Sequence, residues 1–202
     1  MLAAAATGAS GAYVFDDSTY LGDATEWGAW ADMLQRYTPE QAVLRACREH
    51  ADSCPKRHKG LHVILQRGAD LELHKKLQLV NRYVNRKGYR VDRNTRVETH
   101  RSSKRSINQW STPLEFFKRG GDCEDFASTK YFLLRELGVP ADDLRIVVAF
   151  DRQYREHHAV VAVRRDAERS FLLETDNRVL RRKPGAFRYV YAVNEKSVWD
   201  HE

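Results

Sequence analysis

The segment from Lys118 to Leu137, KRGGDCEDFASTKYFLLREL, places the strongest constraint on how this chain can fold. Its apolar residues recur at intervals of three and four, the spacing of an amphipathic helix. They are Phe126, Ala127, Tyr131, Leu134 and Leu137. Glycines precede the run, and Gly138 and Pro140 follow it, as expected where a helix ends. The pattern therefore predicts a helix that begins at Cys123.

Cys123 is the residue of this segment that can carry chemistry. A cysteine attacks only as its thiolate, and the unpaired N–H groups and positive dipole end of a helix N-terminus favour that form. A structural interpretation is also open, in which Asp122 is an N-cap and Cys123 a small buried residue. The choice depends on whether the chain supplies a base for the thiol.

Length and composition indicate one globular domain. The chain has 202 residues, of which 42% are hydrophobic and 31% charged. No stretch approaches the roughly 20 apolar residues that span a bilayer. The opening MLAAAATGASGA resembles at most a signal-peptide remnant. We expect residues 1–24 to be disordered and residues 25–202 to form the domain.

The positive net charge raises the question of nucleic-acid binding. The formal charge is +6, but basic residues alternate with acidic ones outside two clusters, Arg86 to Arg105 and Arg178 to Lys183. Neither cluster has the interleaved aromatics of a single-strand binder or a known nucleic-acid motif. The charge pattern favours a solvated surface and no nucleic-acid partner. The cluster from Arg86 to Arg105 falls in a long polar stretch, which predicts a loop that recognises an acidic partner or substrate flank.

The first half of the chain has helical periodicity. Residues 25–52 carry an apolar side formed by Trp27, Trp30, Met33 and Leu34, with a break at Thr38-Pro39, where a new helix is expected to start. Residues 69–86 form the longest helical pattern. The helical part therefore extends over about 25–137.

Two cysteines lie close together in this helical part, in CREHADSC from Cys47 to Cys54. A local disulfide is the favoured interpretation, and it would indicate an oxidising compartment. Free buried thiols are the next alternative. A zinc site with His50 and His58 comes last, because its spacing matches no common structural zinc pattern.

The second half changes to strand patterns. Four runs of β-branched and aromatic residues follow each other with charged turns between them: LRIVVAF (144–150), HAVVAV (158–163), SFLLET (170–175) and FRYVYAV (187–193). With no helical segment between them, they predict an antiparallel sheet over about 144–195. The fold class is therefore α+β, with helices first and the sheet last.

The sheet supplies the groups that a cysteine nucleophile needs. A base must reach the thiol, and a third group must orient the base. His158 begins one predicted strand and Asp176 closes the next, so a hairpin would place them at one end of the sheet. His157 competes with His158, and strand alternation allows only one of them to reach Cys123. Alternatively the histidines are an exposed strand start, and Asp176-Asn177 is a plain turn.

With these residues and the motifs around them, the chain resembles the bacterial transglutaminase-like cysteine proteinases, a family that includes LapG-type periplasmic adhesin proteases. The resemblance covers residues 73–193 and is carried by INQWSTPLEFFKRGGDCEDFASTKYFLLRELGVPADDLRIVV, HHAVVAV and LLETDN. It implies a papain-like or transglutaminase-like core. The implied catalytic triad is Cys123 as nucleophile, His158 as general base and Asp176 as orienting carboxylate.

The resemblance also implies a cofactor, a substrate and a location. Asp122 and Glu124 match carboxylates that bind calcium in LapG-type members, and Asp125 is a candidate third ligand. The family implies a periplasmic endopeptidase that cleaves a large repeat adhesin at a dialanine-type site near its N-terminus, controlling biofilm attachment. It also implies an inner-membrane cyclic-di-GMP receptor that sequesters the protease.

Two other functions fit the same residues. The triad could run transamidation or amide hydrolysis on another substrate, since a fold does not fix the substrate. A non-catalytic calcium-binding or adaptor module that retains the fold is the third hypothesis.

Overall fold

The computed structural model describes residues 12–90, 109–167 and 169–201. Its α-helices are α1 (Gly28–Glu49), α2 (Lys59–Ala69), α3 (Leu73–Val84), α4 (Pro113–Arg119) and α5 (Cys123–Glu136). Its strands are β1 (Thr19–Asp23), β2 (Leu144–Asp151), β3 (Glu156–Arg164), β4 (Ser170–Leu173), β5 (Val179–Leu180), β6 (Phe187–Val193) and β7 (Ser197–Asp200). Most of the polar loop expected around residues 87–106 lies outside the described residues.

The strands form one antiparallel sheet in the order β1-β7-β6-β2-β3-β4-β5. One face packs on the helices through a core that includes Ile146, Val161 and Leu173, together with the buried side of α5. The other face carries a second cluster that includes Val147, Val160 and Leu172. Because β2, β3 and β4 are buried on both faces, they read as continuous apolar runs. The predicted α+β class with an antiparallel sheet is confirmed.

Helix α1 corrects the predicted break at Thr38-Pro39. It continues from Gly28 to Glu49 with Pro39 in its interior, although proline has no N–H to donate to the Gln35 carbonyl. The buried residues lie on both sides of the proline: Trp30, Met33, Tyr37, Leu44 and Cys47. Burial of both halves holds the helix together across the missing hydrogen bond.

The N-terminal segment corrects the expectation of disorder for residues 1–24. Residues 1–11 lie outside the described residues, but Ala12, Tyr13 and Phe15 are buried in the second cluster. The main-chain N–H of Tyr13 donates to Ser170 Oγ at 2.7 Å, and β1 pairs with β7. Residues 12–24 therefore belong to the folded domain.

Cys47 and Cys54 form a disulfide that links the last turn of α1 to the segment before α2. Their Cα atoms lie 4.4 Å apart. Both cysteines are buried, and Cys123 is the free cysteine. Of the three alternatives left open by the sequence, the structure contains the disulfide, not a zinc site or free thiols.

Candidate active site

Helix α5 begins at Cys123, as the glycines and the apolar period predicted. Gly120 adopts a φ of 77°, which favours glycine. A Cβ atom at Gly121 would overlap the Asp125 carboxylate, so the chain passes closely over that side chain. Asp125 Oδ2 accepts from the main-chain N–H of Asp122 at 3.3 Å, which completes the N-terminal cap. These contacts fix where the cysteine stands.

The Cys123 thiol lies between a carboxyl group and the main chain of β3. Sγ donates to Glu124 Oε2 at 3.2 Å and accepts a hydrogen bond from the main-chain N–H of Ala159. Burial raises the thiol pKa well above its usual range, and the charges of Glu124 and Asp122 raise it further, while the Ala159 N–H opposes them. The sulfur is therefore held directly beside the residue that follows His158.

Asp122 and Glu124 form a buried carboxyl pair at the start of α5. Their side chains hydrogen-bond to each other, and burial together with the nearby Asp122 raises the pKa of Glu124 to about 8. Two carboxyl groups in contact cannot both ionise without a counter-charge. Their oxygen atoms have the chemistry that a hard cation such as calcium prefers.

Asp125, the candidate third calcium ligand, has a structural role here. Its Oδ1 accepts from the main-chain N–H of Ser111 at 2.6 Å, and its Oδ2 serves the Asp122 cap. Within the described ranges, no group of three or more His, Cys, Asp or Glu side chains is arranged to hold a metal ion. The structure therefore brings Asp122 and Glu124 together and directs Asp125 to the cap.

His158 carries a carboxylate partner, and that partner is Glu174. His158 Nε2 lies 2.9 Å from Glu174 Oε2, and the imidazole packs edge-on against Phe187 at 5.7 Å. The neighbouring His157 is exposed and contacts the ring of Phe150 instead. Of the two competing histidines, His158 is the one held by a carboxylate.

Asp176 lines the same cleft as His158, but among the described residues the partner of its carboxylate is Arg178. Strand β4 ends at Leu173, and Asp176 lies in the turn that follows, where its carboxylate accepts from Arg178 through both the main-chain N–H and the guanidinium. Asn177 has a φ of 70°, which is typical of a tight turn. The plain-turn alternative is therefore the geometry that the structure has. A catalytic role of Asp176 stays a prediction.

The main chain of Glu174 is held from two helices. Its carbonyl accepts from Lys130 Nζ of α5 at 2.9 Å and from Asn85 Nδ2, just after α3, at 2.9 Å. Lys130 is 1% exposed, and burial lowers the pKa of its ammonium to about 7 despite the nearby Glu174. Sequence reasoning missed Glu174, Lys130 and Asn85. For Lys130 the reason is that helical periodicity gives no signal for a buried lysine.

Tyr89 is a second residue that the sequence did not single out. It forms an isolated bridge with Gly121, and its ring stacks on Phe126 at 5.8 Å. Its side chain is 54% exposed, and the charge of Cys123 contributes, after burial, to raising its phenol pKa. Tyr89 is therefore a partly exposed aromatic side chain near the thiol.

A cleft of about 530 Å³ opens beside His158 at the end of the sheet. Its lining includes Asp151, Tyr154, Glu156, Glu174, Arg178 and Phe187. Carboxylates outnumber the cations among these residues, so the cleft next to the imidazole is acidic.

No helix in the described part of the chain has the length and apolar character needed to cross a membrane.

A cysteine at a helix N-terminus, set against a strand whose histidine is paired with a carboxylate, is the arrangement of the transglutaminase-like class of cysteine enzymes. The chain belongs to the bacterial transglutaminase-like cysteine proteinase (BTLCP) family, whose model matches residues 35–201. A search of curated protein sequences gave no significant match.

Solved structures of LapG from Legionella pneumophila are similar to this chain. Calcium-bound LapG is 27% identical with a TM-score of 0.66, covering 78% of this chain and 87% of that chain. EGTA-treated LapG is 25% identical with a TM-score of 0.63, covering 80% and 85%. A further LapG structure is 25% identical with a TM-score of 0.62, covering 79% and 86%.

Proposed function

We propose that this protein is a calcium-dependent cysteine endopeptidase in which Cys123 is the nucleophile and His158 the general base. The observation that carries the proposal is the position of the Cys123 sulfur at the helix N-terminus. It contacts the main-chain N–H of Ala159, and the preceding residue, His158, has its imidazole bonded to a carboxylate. Membership of a cysteine proteinase family supports the same chemistry.

The proposed reaction is acyl transfer to the thiol followed by hydrolysis. His158 accepts the Cys123 proton as sulfur attacks the scissile carbonyl carbon, and the imidazolium then donates that proton to the leaving amine. The N-terminal part of the substrate remains as a thioester. Water, deprotonated by the same imidazole, attacks the thioester and releases the carboxylic acid and the thiol.

We propose that Asp122 and Glu124 hold the calcium ion. Their hydrogen-bonded oxygens and the raised pKa of Glu124 mark a site that lacks positive charge. When bound, calcium would supply that charge beside the thiol and favour the thiolate. The similarity to LapG structures that are calcium-bound and EGTA-treated supports this choice of ion.

We propose that the protease acts in the periplasm and that its substrate is a large surface adhesin. Cleavage at a dialanine-type site near the adhesin N-terminus would control biofilm attachment. The disulfide between Cys47 and Cys54 supports an oxidising compartment. The open cleft beside His158 offers room for an extended peptide. An inner-membrane cyclic-di-GMP receptor as a partner stays a prediction from the family.

The test is cleavage of an N-terminal adhesin fragment from the same host by the purified chain. We expect cleavage in calcium, loss after EGTA treatment and recovery with calcium but not magnesium. Cys123→Ala and His158→Ala should each lower the rate by orders of magnitude. His157→Ala is the matched control and should keep most of the activity.

Two outcomes would contradict the proposal. Cleavage by the Cys123→Ala protein would exclude the thiol as nucleophile. Full activity after chelation, with no heat of calcium binding in calorimetry, would show that Asp122 and Glu124 serve only to cap the N-terminus of α5. Transfer of an added amine to the acyl group, in place of hydrolysis, would favour the transamidase alternative.

A further inference from the structure

We propose that Glu174, and not Asp176, is the carboxylate that orients His158, and that Lys130 and Asn85 hold it in place. The inference rests on the proposed function, since it assumes that His158 serves Cys123. Glu174 Oε2 lies 2.9 Å from His158 Nε2. Glu174 is 5% exposed, so little water competes for this hydrogen bond.

The sheet register places the two side chains on the same face. His158 pairs with Ala149, and Leu172 pairs with Ala162, all in the layer of the second cluster. Strand alternation then puts Glu174, two residues after Leu172, on the face of His158. Glu174 is the first residue after β4 ends at Leu173, and its carboxylate stays on that face, 2.9 Å from the imidazole.

The polypeptide around Glu174 is fixed by donors from separate elements. Lys130 Nζ and Asn85 Nδ2 both donate to the Glu174 carbonyl at 2.9 Å. The Glu174 main-chain N–H donates to the Arg178 carbonyl at 3.0 Å. Asn81 Nδ2 donates to the same Arg178 carbonyl at 3.1 Å. The strand end is thus anchored to α3 and α5, which limits movement of the carboxylate away from the imidazole.

Asp176 is committed elsewhere. Its carboxylate accepts from the Arg178 main chain at 3.1 Å and also forms an ion pair with the Arg178 guanidinium. Its side chain is 50% exposed, in contrast to the buried carboxylate of Glu174. Asp176 shapes the turn between β4 and β5 through these contacts with Arg178.

The assignment fixes the tautomer of the imidazole. A carboxylate accepts hydrogen bonds, so His158 must carry its proton on Nε2. Nδ1 then keeps its lone pair and is the atom that can take the Cys123 proton. After that transfer, the Glu174 charge stabilises the imidazolium. Glu174 is therefore a positioning residue that acts through His158.

The kinetic test compares two isosteric variants, Glu174→Gln and Asp176→Asn, on the adhesin fragment in calcium. We expect Glu174→Gln to lower kcat about 100-fold or more with little change in KM, because the carboxylate acts on the reacting imidazole and not on substrate binding. Asp176→Asn should lower kcat less than 10-fold. Glu174→Asp should recover part of the loss, and Lys130→Met should lower kcat by an intermediate factor.

A second measurement does not need activity. In the Cys123→Ala background, ¹⁵N-detected NMR at pH 8.5 reports which imidazole nitrogen of His158 is protonated, with its signals identified by their loss in His158→Gln. We expect protonation on Nε2, retained with Asp176→Asn and lost or mixed with Glu174→Gln.

The two measurements separate the possible failures. A large kcat loss in Asp176→Asn with near-normal Glu174→Gln would overturn the assignment, as would a tautomer that responds to Asp176 and not to Glu174. If the wild-type chain cleaves nothing, the proposed function fails, and the tautomer pattern still decides which carboxylate holds His158.

Discussion

Lys130 provides a sharp test of the packing beneath the site, through Lys130→Met. This substitution keeps the length of the apolar stem and removes the ammonium. The lysine lies inside α5 at 1% exposure, with Nζ on the Glu174 carbonyl. Burial lowers its pKa from 10.5 to about 7, and the charges of Glu174 and Asp176 oppose that change. The contribution of Lys130 to the free energy of unfolding should therefore depend on pH.

The sign follows from proton binding. Between pH 7 and about 10.4 the unfolded chain keeps the lysine proton while the folded chain loses it, so stability rises with pH. The slope is about 1.4 kcal/mol per pH unit, or about 3 kcal/mol from pH 7 to 9.5. Lys130→Met has no such group. Its free energy of unfolding relative to wild type should therefore fall by about 3 kcal/mol over that range.

The assay is urea unfolding followed by tryptophan fluorescence at pH 7, 8, 9 and 9.5, with the difference between the two proteins plotted against pH. Taking the difference cancels groups that titrate equally in both. Lys59→Met is the matched control, because Lys59 is a largely exposed lysine at the start of α2. A difference for Lys130→Met that stays flat within about 0.5 kcal/mol would refute the burial of an uncharged lysine.

Two further stability predictions follow from the helical layer. The Cys47→Ser/Cys54→Ser variant should lose about 2.5 kcal/mol, the loop entropy of a short disulfide; urea unfolding under non-reducing conditions measures it, and wild type treated with reductant should show the same loss. Pro39→Ala should raise stability by about 1 to 3 kcal/mol, because Gln35 regains a donor and the position is an exposed helix interior. A lower stability in Pro39→Ala would show that the proline is needed for the packing of α1.

The start of α5 could be predicted because its signals are local. Glycines before Cys123 and apolar residues at helical spacing act within one segment of chain, and the structure begins the helix at that residue. The four strands carry equally local patterns. Pro39 shows the limit of this approach. A local rule breaks the helix there, but burial of Tyr37 on one side and Leu44 on the other overrides it.

The short edge strands could not be predicted for a related reason. Strand β1 is largely exposed, so its sequence has no apolar pattern that would predict it. Its partner β7 comes from the opposite end of the chain, and local sequence carries no signal for such a pairing. The orienting carboxylate was missed because Glu174 and Asp176 have the same strand parity. The two residues differ in their distance from the end of β4. The structure shows that end through the last β3–β4 pair, Val161 with Leu173.

The length of β4 creates the site. The pairing of β3 with β4 ends at Val161 and Leu173. Ala159 lies two residues further along β3, and its N–H points to the sulfur of Cys123 instead of to another strand. In the β3–β4 register Thr175 is the residue that would face Ala159 if β4 continued, so the thiol occupies the position of that residue. At this open edge a group from the helix layer can meet His158, whose side chain belongs to the opposite face of the sheet.

If the turn after Glu174 were extended into the strand, it would cover the Ala159 N–H and displace the sulfur. The hydrogen bonds from Lys130 and Asn85 to the Glu174 carbonyl oppose that extension, so the contacts that hold the carboxylate also keep room for the nucleophile.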